Sequence, residues 1–252
     1  MNHGGGMSSV TLPALQQMKR DGRKLVGVVA WDYQMARIAD RVGVEIVSVG
    51  DSVGVNLWGH ATEKEVSLAE MLVVCKAVRQ GVSRALVSCD VPSSVMEMGL
   101  DETVRASVRL AREGGADMVK VFGAADSVRA ITAAGVPVFA EFHGQRPVAE
   151  LIDEARHLEA AGAVLLDFRH SGPQAGAAVV QAVSIPVIGG LGGGGWLDGR
   201  IRLAHGVTGY AADWLDSDAE TYANTAKVTL AALEAYAEDV RAGRHLKGQR
   251  PA

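Results

Sequence analysis

The sequence predicts a single (β/α)8 barrel of the TIM type, preceded by one helix and followed by a long C-terminal helix. Three observations predict it. Short runs of β-branched and aliphatic residues alternate with longer segments of helical period, and nearly every helical segment ends in a glycine just before the next apolar run. The strand runs are continuously apolar rather than alternating, which is the pattern of strands covered on both faces. Eight such units follow one another in 252 residues, and no G-x-G-x-x-G follows the first strand, which favours a closed barrel over a doubly wound open sheet.

The elements follow in order. A leading helix occupies Thr11 to Arg20, after a polar, glycine-rich segment (residues 1–10) expected to be disordered. The first strand is Leu25 to Trp31, followed by a helix from Asp32 to Gly43, with Asp32 read as its N-cap. The second strand, Val44 to Gly50, leads into a long polar connection whose length marks a functional loop. The next helix, Leu68 to Gln80, starts at a capping box made by Ser67 and Glu70. Strand three is Arg84 to Val91 with a helix at Asp101 to Glu113, and strand four is Asp117 to Gly123 with a short helix at Ser127 to Ala134. Strand five is Val136 to Phe142 with a helix at Val148 to Ala161, and strand six is Ala163 to Phe168 with a helix at Pro173 to Val183. Strand seven, Ile185 to Gly190, passes through LGGGGWLDG to a weak eighth strand at Arg200 to Leu203. The C-terminal helix is placed at Ala219 to Arg241, so the barrel domain spans 11–243 and the tail 244–252 is expected to fray.

Composition narrows the function classes. Hydrophobic residues make up 48% and charged residues 21%, enough for one large core, and the net charge of −4 offers no positive field to gather nucleic acid or anionic lipid. No stretch reaches the roughly eighteen apolar residues of a membrane span and the N-terminus lacks a basic, then apolar, leader, so a cytoplasmic protein is expected. Cys75 and Cys89 lie in apolar surroundings without metal or CxxC spacing, and read as buried free thiols. His60, His157, His205 and His245 show no ligand spacing and read as ordinary surface or loop residues. The glycine run Gly189 to Gly195 lacks a Lys-Ser/Thr ending, so it reads as a flexible loop permitting close approach rather than a phosphate cradle.

In a barrel of this kind chemistry sits at the carboxyl ends of the strands. Polar residues interrupt the apolar runs there: Asp51 and Ser52 after strand two, Asp90 after strand three, Lys120 in strand four, Glu141 and His143 in strand five, and Asp167, Arg169 and His170 in strand six. Several carboxylates facing one mouth repel one another unless a cation neutralises them, and Mg2+ typically takes one or two protein carboxylates plus waters and substrate oxygens. A 2-oxo acid offers a carboxylate and a keto oxygen to such an ion. Each aspartate after a strand also has a bland reading as a helix cap, preferred for Asp32 and weaker for Asp51 and Asp90, which precede loops. Lys120 inside VKVF should meet a carboxylate, because an unpaired buried ammonium is costly.

The segments AWDYQMARIADRVGVEIVSVGDSVGVNLWGH, ATEKEVSLAEMLVVCKAVRQG, RALVSCDVP, GADMVKVFG, AAGVPVF, IPVIGG and LDGR, in this order and spacing, resemble the ketopantoate hydroxymethyltransferase family from about Leu25 to about Leu203. The resemblance implies a barrel similar to the phosphoenolpyruvate mutase/isocitrate lyase superfamily. It also implies transfer of a one-carbon unit from methylenetetrahydrofolate to a small 2-oxo acid such as 2-oxoisovalerate, using Mg2+ or another divalent metal. Carried across, Asp51 and Asp90 match the metal-associated aspartates, Ser52 the serine beside the substrate carboxylate, and Lys120 the lysine near the oxo acid. The chain departs from the family at three places: its K-x-E reads Lys120-Val121-Phe122, its histidine at the end of strand five aligns with Glu141, and its glutamate base aligns with Asp167. The loop RHSGP also places Arg169 and His170 where the family is apolar.

The main expectation is hydroxymethyl transfer through an enolate, with Asp167 as base and Lys120 and Glu141 beside it. The alternative is a lyase or aldolase in which Arg169, His170 or Arg146 grips a second anionic group, as a planar guanidinium can do in bidentate fashion. A third class, a non-catalytic scaffold, would require the buried charges to be incidental. The apolar residues of the C-terminal helix, together with the ring assemblies of the resembled family, predict a homo-oligomer.

Overall fold

The computed structural model describes residues 9–244 and 247–248. The chain divides into two compact units, Met1–Arg202 and Leu203–Ala252. In the first, eight parallel strands pair in sequence order and close into a barrel: β1 (Leu25–Val29), β2 (Ile46–Val49), β3 (Leu86–Asp90), β4 (Met118–Phe122), β5 (Val138–His143), β6 (Ala163–Arg169), β7 (Val187–Gly189) and β8 (Gly199–Leu203). The barrel expected from the sequence is the barrel observed. Helices α1 (Leu12–Arg20), α2 (Tyr33–Val42), α3 (Leu68–Gly81), α4 (Ser93–Met96), α5 (Leu100–Arg112), α6 (Ala125–Ala133), α7 (Val148–Ala160) and α8 (Pro173–Ala182) lie along this unit.

Side chains alternate across each strand, so one parity faces the barrel axis. Leu25, Ile46, Leu86, Met118, Phe139, Leu165, Ile188 and Ile201, one from each strand, form one buried apolar cluster with Leu15 and Met18 of α1. The leading helix therefore plugs the amino-terminal end of the barrel. Two residues further along the strands the inward positions turn polar: Ser48 and Ser88, whose hydroxyls bond at 2.7 Å, then Lys120, Glu141 and Asp167. A further step on come Asp90, Phe122, His143 and Arg169, at the mouth. This ordering, apolar floor to polar middle to open rim, follows directly from a period of two applied to strands that end in charged residues.

Local signals behave as their chemistry requires. Asp32 caps α2, its carboxylate accepting from the Gln34 and Met35 amides at 2.8 and 2.9 Å, and Ser67 and Glu70 form the capping box of α3. Buried Asp40 accepts from the amides of Ser83 and Ala85 at 3.0 and 2.8 Å, fastening α2 to the start of β3. Both cysteines are buried free thiols.

Four features differ from the sequence reading. The long β2–α3 connection carries a π-helical turn (Gly54–Trp58) and a 3-10 turn (Glu63–Glu65). Helix α4 is an extra element of four residues, too short to show a period. The segment 1–10 lies outside the described residues up to residue 8, but the Val10 amide donates to the Arg84 carbonyl at 2.8 Å, so its end is tied down. His205 is buried rather than a surface residue, whereas His157 is exposed and His245 lies outside the described residues.

The second unit holds the short helix α9 (Ala204–Thr208), a 3-10 turn (Ala212–Leu215) and α10 (Thr225–Arg241). Helix α10 starts six residues later than its apolar pattern suggested, because Asn224 caps it: its side-chain oxygen accepts from the Lys227 amide at 3.1 Å and its amide group donates to the Trp214 carbonyl at 2.9 Å. None of the residues of α10 is buried. Among the described residues no helix is long and apolar enough to cross a membrane.

Candidate active site

The carboxyl ends of β4 to β7 join Lys120, Glu141, His143, Asp167 and Arg169 in one network. Lys120 Nζ lies 2.5 Å from Glu141 Oε2 and 2.8 Å from Asp167 Oδ2, the partners that a lysine in an apolar strand requires. Arg169 Nη1 donates to Glu141 Oε1 at 2.6 Å, and His143 Nε2 stands 3.3 Å from the same oxygen. Asp167, only 1% exposed, is further held by the Gly190 amide, which donates to Oδ1 at 3.0 Å. A Cβ at position 190 would meet the Asp167 carboxylate at 3.7 Å, an ordinary contact distance, so the chain packs closely against this acid.

Asp51 and Asp90 flank the other half of the mouth. Asp51 Oδ2 accepts weakly from the Ser93 amide and hydroxyl at 3.4 and 3.3 Å, and a Cβ on Gly50 would lie 2.9 Å from Ser52 Oγ and 3.6 Å from Asp90 Oδ2. Ser52 and Asp90 thus border one small space beside Gly50, and Asp51 is near enough to Asp90 for the two charges to repel. Asp90 Oδ1 is buried and has no hydrogen-bond partner, an arrangement costly for a carboxylate.

The charges respond to these surroundings. Burial pushes the Asp90 carboxyl up to about 7; Lys120 opposes that shift, while Asp51 adds to it. Burial also raises Asp51, with the Ser93 hydrogen bonds opposing and Glu63 of the preceding loop adding to the rise. Burial alone would raise Glu141 too, but Lys120 and Arg169 outweigh it and hold this carboxyl at about 2. Lys120 is raised despite its own burial, because Asp167, Asp90 and Glu141 surround it. Four carboxylates (Asp51, Asp90, Glu141, Asp167) thus face two cations (Lys120, Arg169); fully ionised they would carry two surplus negative charges, a repulsion that the raised Asp51 and Asp90 relieve by holding protons and that a bound cation would relieve instead.

Among the described residues no three His, Cys, Asp or Glu side chains converge as a complete metal cage. Two aspartates suit Mg2+, which commonly keeps waters and substrate oxygens in its remaining positions, and the unpartnered Asp90 oxygen is the donor such an ion would satisfy.

Some residues play other parts than expected. Arg169 pairs through Nη1 with Glu141. Arg146 pairs outward with Glu154 of α7. His170 makes no contact with the carboxylates: it sits on the rim with φ of 53°, its amide donating to the Leu191 carbonyl at 2.7 Å. The glycine run serves close approach, for a Cβ on Gly192 would lie 3.0 Å from His170 Cα, while Arg200 binds the carbonyls of Gly189, Gly190 and Gly193. Ser93 and the Gly190 amide escaped the sequence reading. Ser93 had one available signal, a serine directly after the CDVP segment that carries Asp90.

A closed parallel barrel whose acids and lysine meet at the carboxyl ends of the strands defines a (β/α)8-barrel enzyme, and solved structures share this architecture. A 2,3-dimethylmalate lyase, a member of the PEP mutase/isocitrate lyase superfamily, aligns over 97% of this chain and 93% of its own with a TM-score of 0.62 and 14% identity. A phosphonopyruvate hydrolase in complex with oxalate and Mg2+ aligns over 96% and 92% with a TM-score of 0.61 and 14% identity. At such identities the likeness is one of fold. Sequence is more specific: the pattern of the ketopantoate hydroxymethyltransferase family matches residues 9–147 and 142–246. The 3-methyl-2-oxobutanoate hydroxymethyltransferase of Shewanella sp. (strain W3-18-1) is 34% identical over 94% of this chain and 96% of its own length. The chain belongs to the ketopantoate hydroxymethyltransferase family.

Proposed function

We propose that this protein transfers a hydroxymethyl unit to a small 2-oxo acid such as 2-oxoisovalerate, through an enolate, with methylenetetrahydrofolate as donor and Mg2+ held by Asp51 and Asp90. The observation that carries the reading is the division of labour between the two carboxylates on Lys120. Glu141 is held at about 2 and has its oxygens engaged by Lys120, Arg169 and His143, which makes it a poor base and a good anchor. Asp167 shares the same lysine, but its other oxygen accepts only from the neutral Gly190 amide, so it has one directly paired cation where Glu141 has two, which suits it better to receive a proton.

In this mechanism Ser52 borders the substrate carboxylate and Asp167 removes the proton from C3. Lys120, a fixed positive charge within reach, lowers the energy of the negative charge that develops on the keto oxygen. When bound, Mg2+ would supply Lewis-acid polarisation of the keto group and balance the two surplus negative charges. The nucleophilic C3 then bonds to the methylene carbon of the donor as one of its two C–N bonds breaks and that nitrogen takes the proton held by Asp167. Water then displaces the second C–N bond, its hydroxyl staying on the methylene carbon and its proton going to the other nitrogen, so the carrier leaves as tetrahydrofolate. Glu141 holds Lys120 and Arg169 in place throughout. The lyase alternative would need Arg169, His170 or Arg146 to grip a second anionic group; Arg169 already pairs with Glu141 and Arg146 with Glu154, which favours the transfer reading.

Exchange of the C3 proton of 2-oxoisovalerate with deuterated water, followed by proton NMR with Mg2+ present and no donor, tests the base. Asp167→Asn should lower the exchange rate by about 100-fold or more while sparing substrate binding, since a general base acts mainly in the transition state. Exchange at the wild-type rate in Asp167→Asn, with loss in Glu141→Gln, would move the base to β5 and refute this assignment.

A further inference from the structure

We propose that Phe122 and His143 form a stacking subsite for the planar heteroaromatic ring of the one-carbon donor. The parity of β4 places Met118 in the barrel floor, Lys120 in the polar middle and Phe122 at the mouth, so the phenyl ring faces the rim over the reacting centre. It is 58% exposed there, beside His143, which is 44% exposed. Their ring centroids are 5.1 Å apart with an interplanar angle of 79°. Two rings near a right angle make a corner that offers one face for stacking and one edge for lateral contact with a third flat ring.

The rest of the rim supports this assignment. The His170 ring stands 6.1 Å from His143 and extends the row of rings. Its backbone occupies the left-handed region, unusual for a residue with a side chain, and is wedged where a Cβ on Gly144 or Gly192 would collide with it, at 2.4 and 3.0 Å. A phenyl ring left 58% exposed at the rim gains further burial when a ligand covers it.

The placement also suits the reaction. The oxo acid takes the β2–β3 half of the mouth, beside Asp51, Ser52 and Asp90, whereas the rings belong to β4, β5 and the end of β6. A carrier stacked there lies at the rim above Lys120 and Glu141, on strands that adjoin the aspartate-bearing half, from which its methylene carbon can approach C3 to the roughly 3 Å that bond formation needs.

The subsite rests on the transfer reading above. Calorimetric titration with tetrahydrofolate, Mg2+ present, measures it directly. Phe122→Ala and Phe122→Leu should each raise the dissociation constant by about tenfold, whereas Phe122→Tyr, which keeps the ring, should stay within about twofold. His143→Ala removes the other wall and carries the test where a Phe122 variant fails to fold. Wild-type affinity in Phe122→Ala, Phe122→Leu and His143→Ala, or no binding of tetrahydrofolate to the wild type, overturns the subsite. Donor-free C3 exchange in the wild type reads the transfer reading separately. Exchange without tetrahydrofolate binding overturns the subsite alone; binding that is sensitive to Phe122, without exchange, overturns the enolate chemistry and leaves the subsite standing.

Discussion

Asp90 carries an electrostatic cost that a divalent cation would relieve. Its carboxyl is raised to about 7 in the folded chain against 3.8 for an ordinary aspartate, so the folded state favours the protonated form. Stability tied to that proton is fully present below about 3.8 and is lost as pH rises towards about 7. Asp90→Asn removes the charge and keeps the volume. In chelator, thermal unfolding should show the variant gaining on the wild type as pH rises from 4 to 8, by an amount on the order of a few kcal/mol. Added Mg2+ should reverse the order, because it stabilises only the chain that binds it. A pH-independent difference between the two, or equal Mg2+ affinity by calorimetry, would refute the metal role of Asp90. At this scale the sequence was legible where burial makes a residue hard to explain otherwise: Lys120 in VKVF had to find carboxylates, and did. It was illegible where a group is supplied by a loop crossing from another strand, as with the Gly190 amide on Asp167 and the Ser93 hydrogen bonds on Asp51.

Elements owe their placement to close approaches that few residue types permit. At the seam where β8 meets β1, the Leu25 amide donates to the Asp198 carbonyl at 2.9 Å, and a Cβ on Gly199 would fall 2.1 Å from the Leu25 carbonyl oxygen. Gly199→Ala should therefore force the closing strand away and destabilise the barrel by roughly 2–3 kcal/mol, read as a lowered midpoint in urea or heat. Gly195→Ala, where a methyl meets open space, is the control. Equal midpoints for the two variants would show that the seam yields without cost. The strands were readable because continuous apolar runs have a length and composition of their own. Helix α4 and the π-helical turn were not, since four or five residues cannot display a period. The start of α10 was set by the Asn224 cap rather than by its apolar pattern.

For the whole molecule, we propose self-association through α10. Leu233, Tyr236 and Val240 follow one another at helical spacing, and all three are exposed, as is Val228. A second copy of this chain would bury them. Light scattering at micromolar concentration should report a multiple of the monomer mass, and Leu233→Glu combined with Tyr236→Glu should lower it. A monomer in the wild type would end the proposal. The fold class could be read from the sequence because the barrel repeats one signal eight times, so an error in any one unit leaves the pattern intact. The second unit has no such redundancy, and its short helix α9 went unread.

Helix α1, seated with Leu15 and Met18 against the floor residues of all eight strands, closes the amino-terminal end of the barrel and leaves the rim as the approach to the polar middle. Under the proposed function a substrate reaches Asp167 past the rim and leaves the same way. In the proposed reaction the oxo acid is the inner guest and the carrier the outer one, so traffic is last in, first out: the spent carrier has to vacate the doorway before the new hydroxy acid can leave.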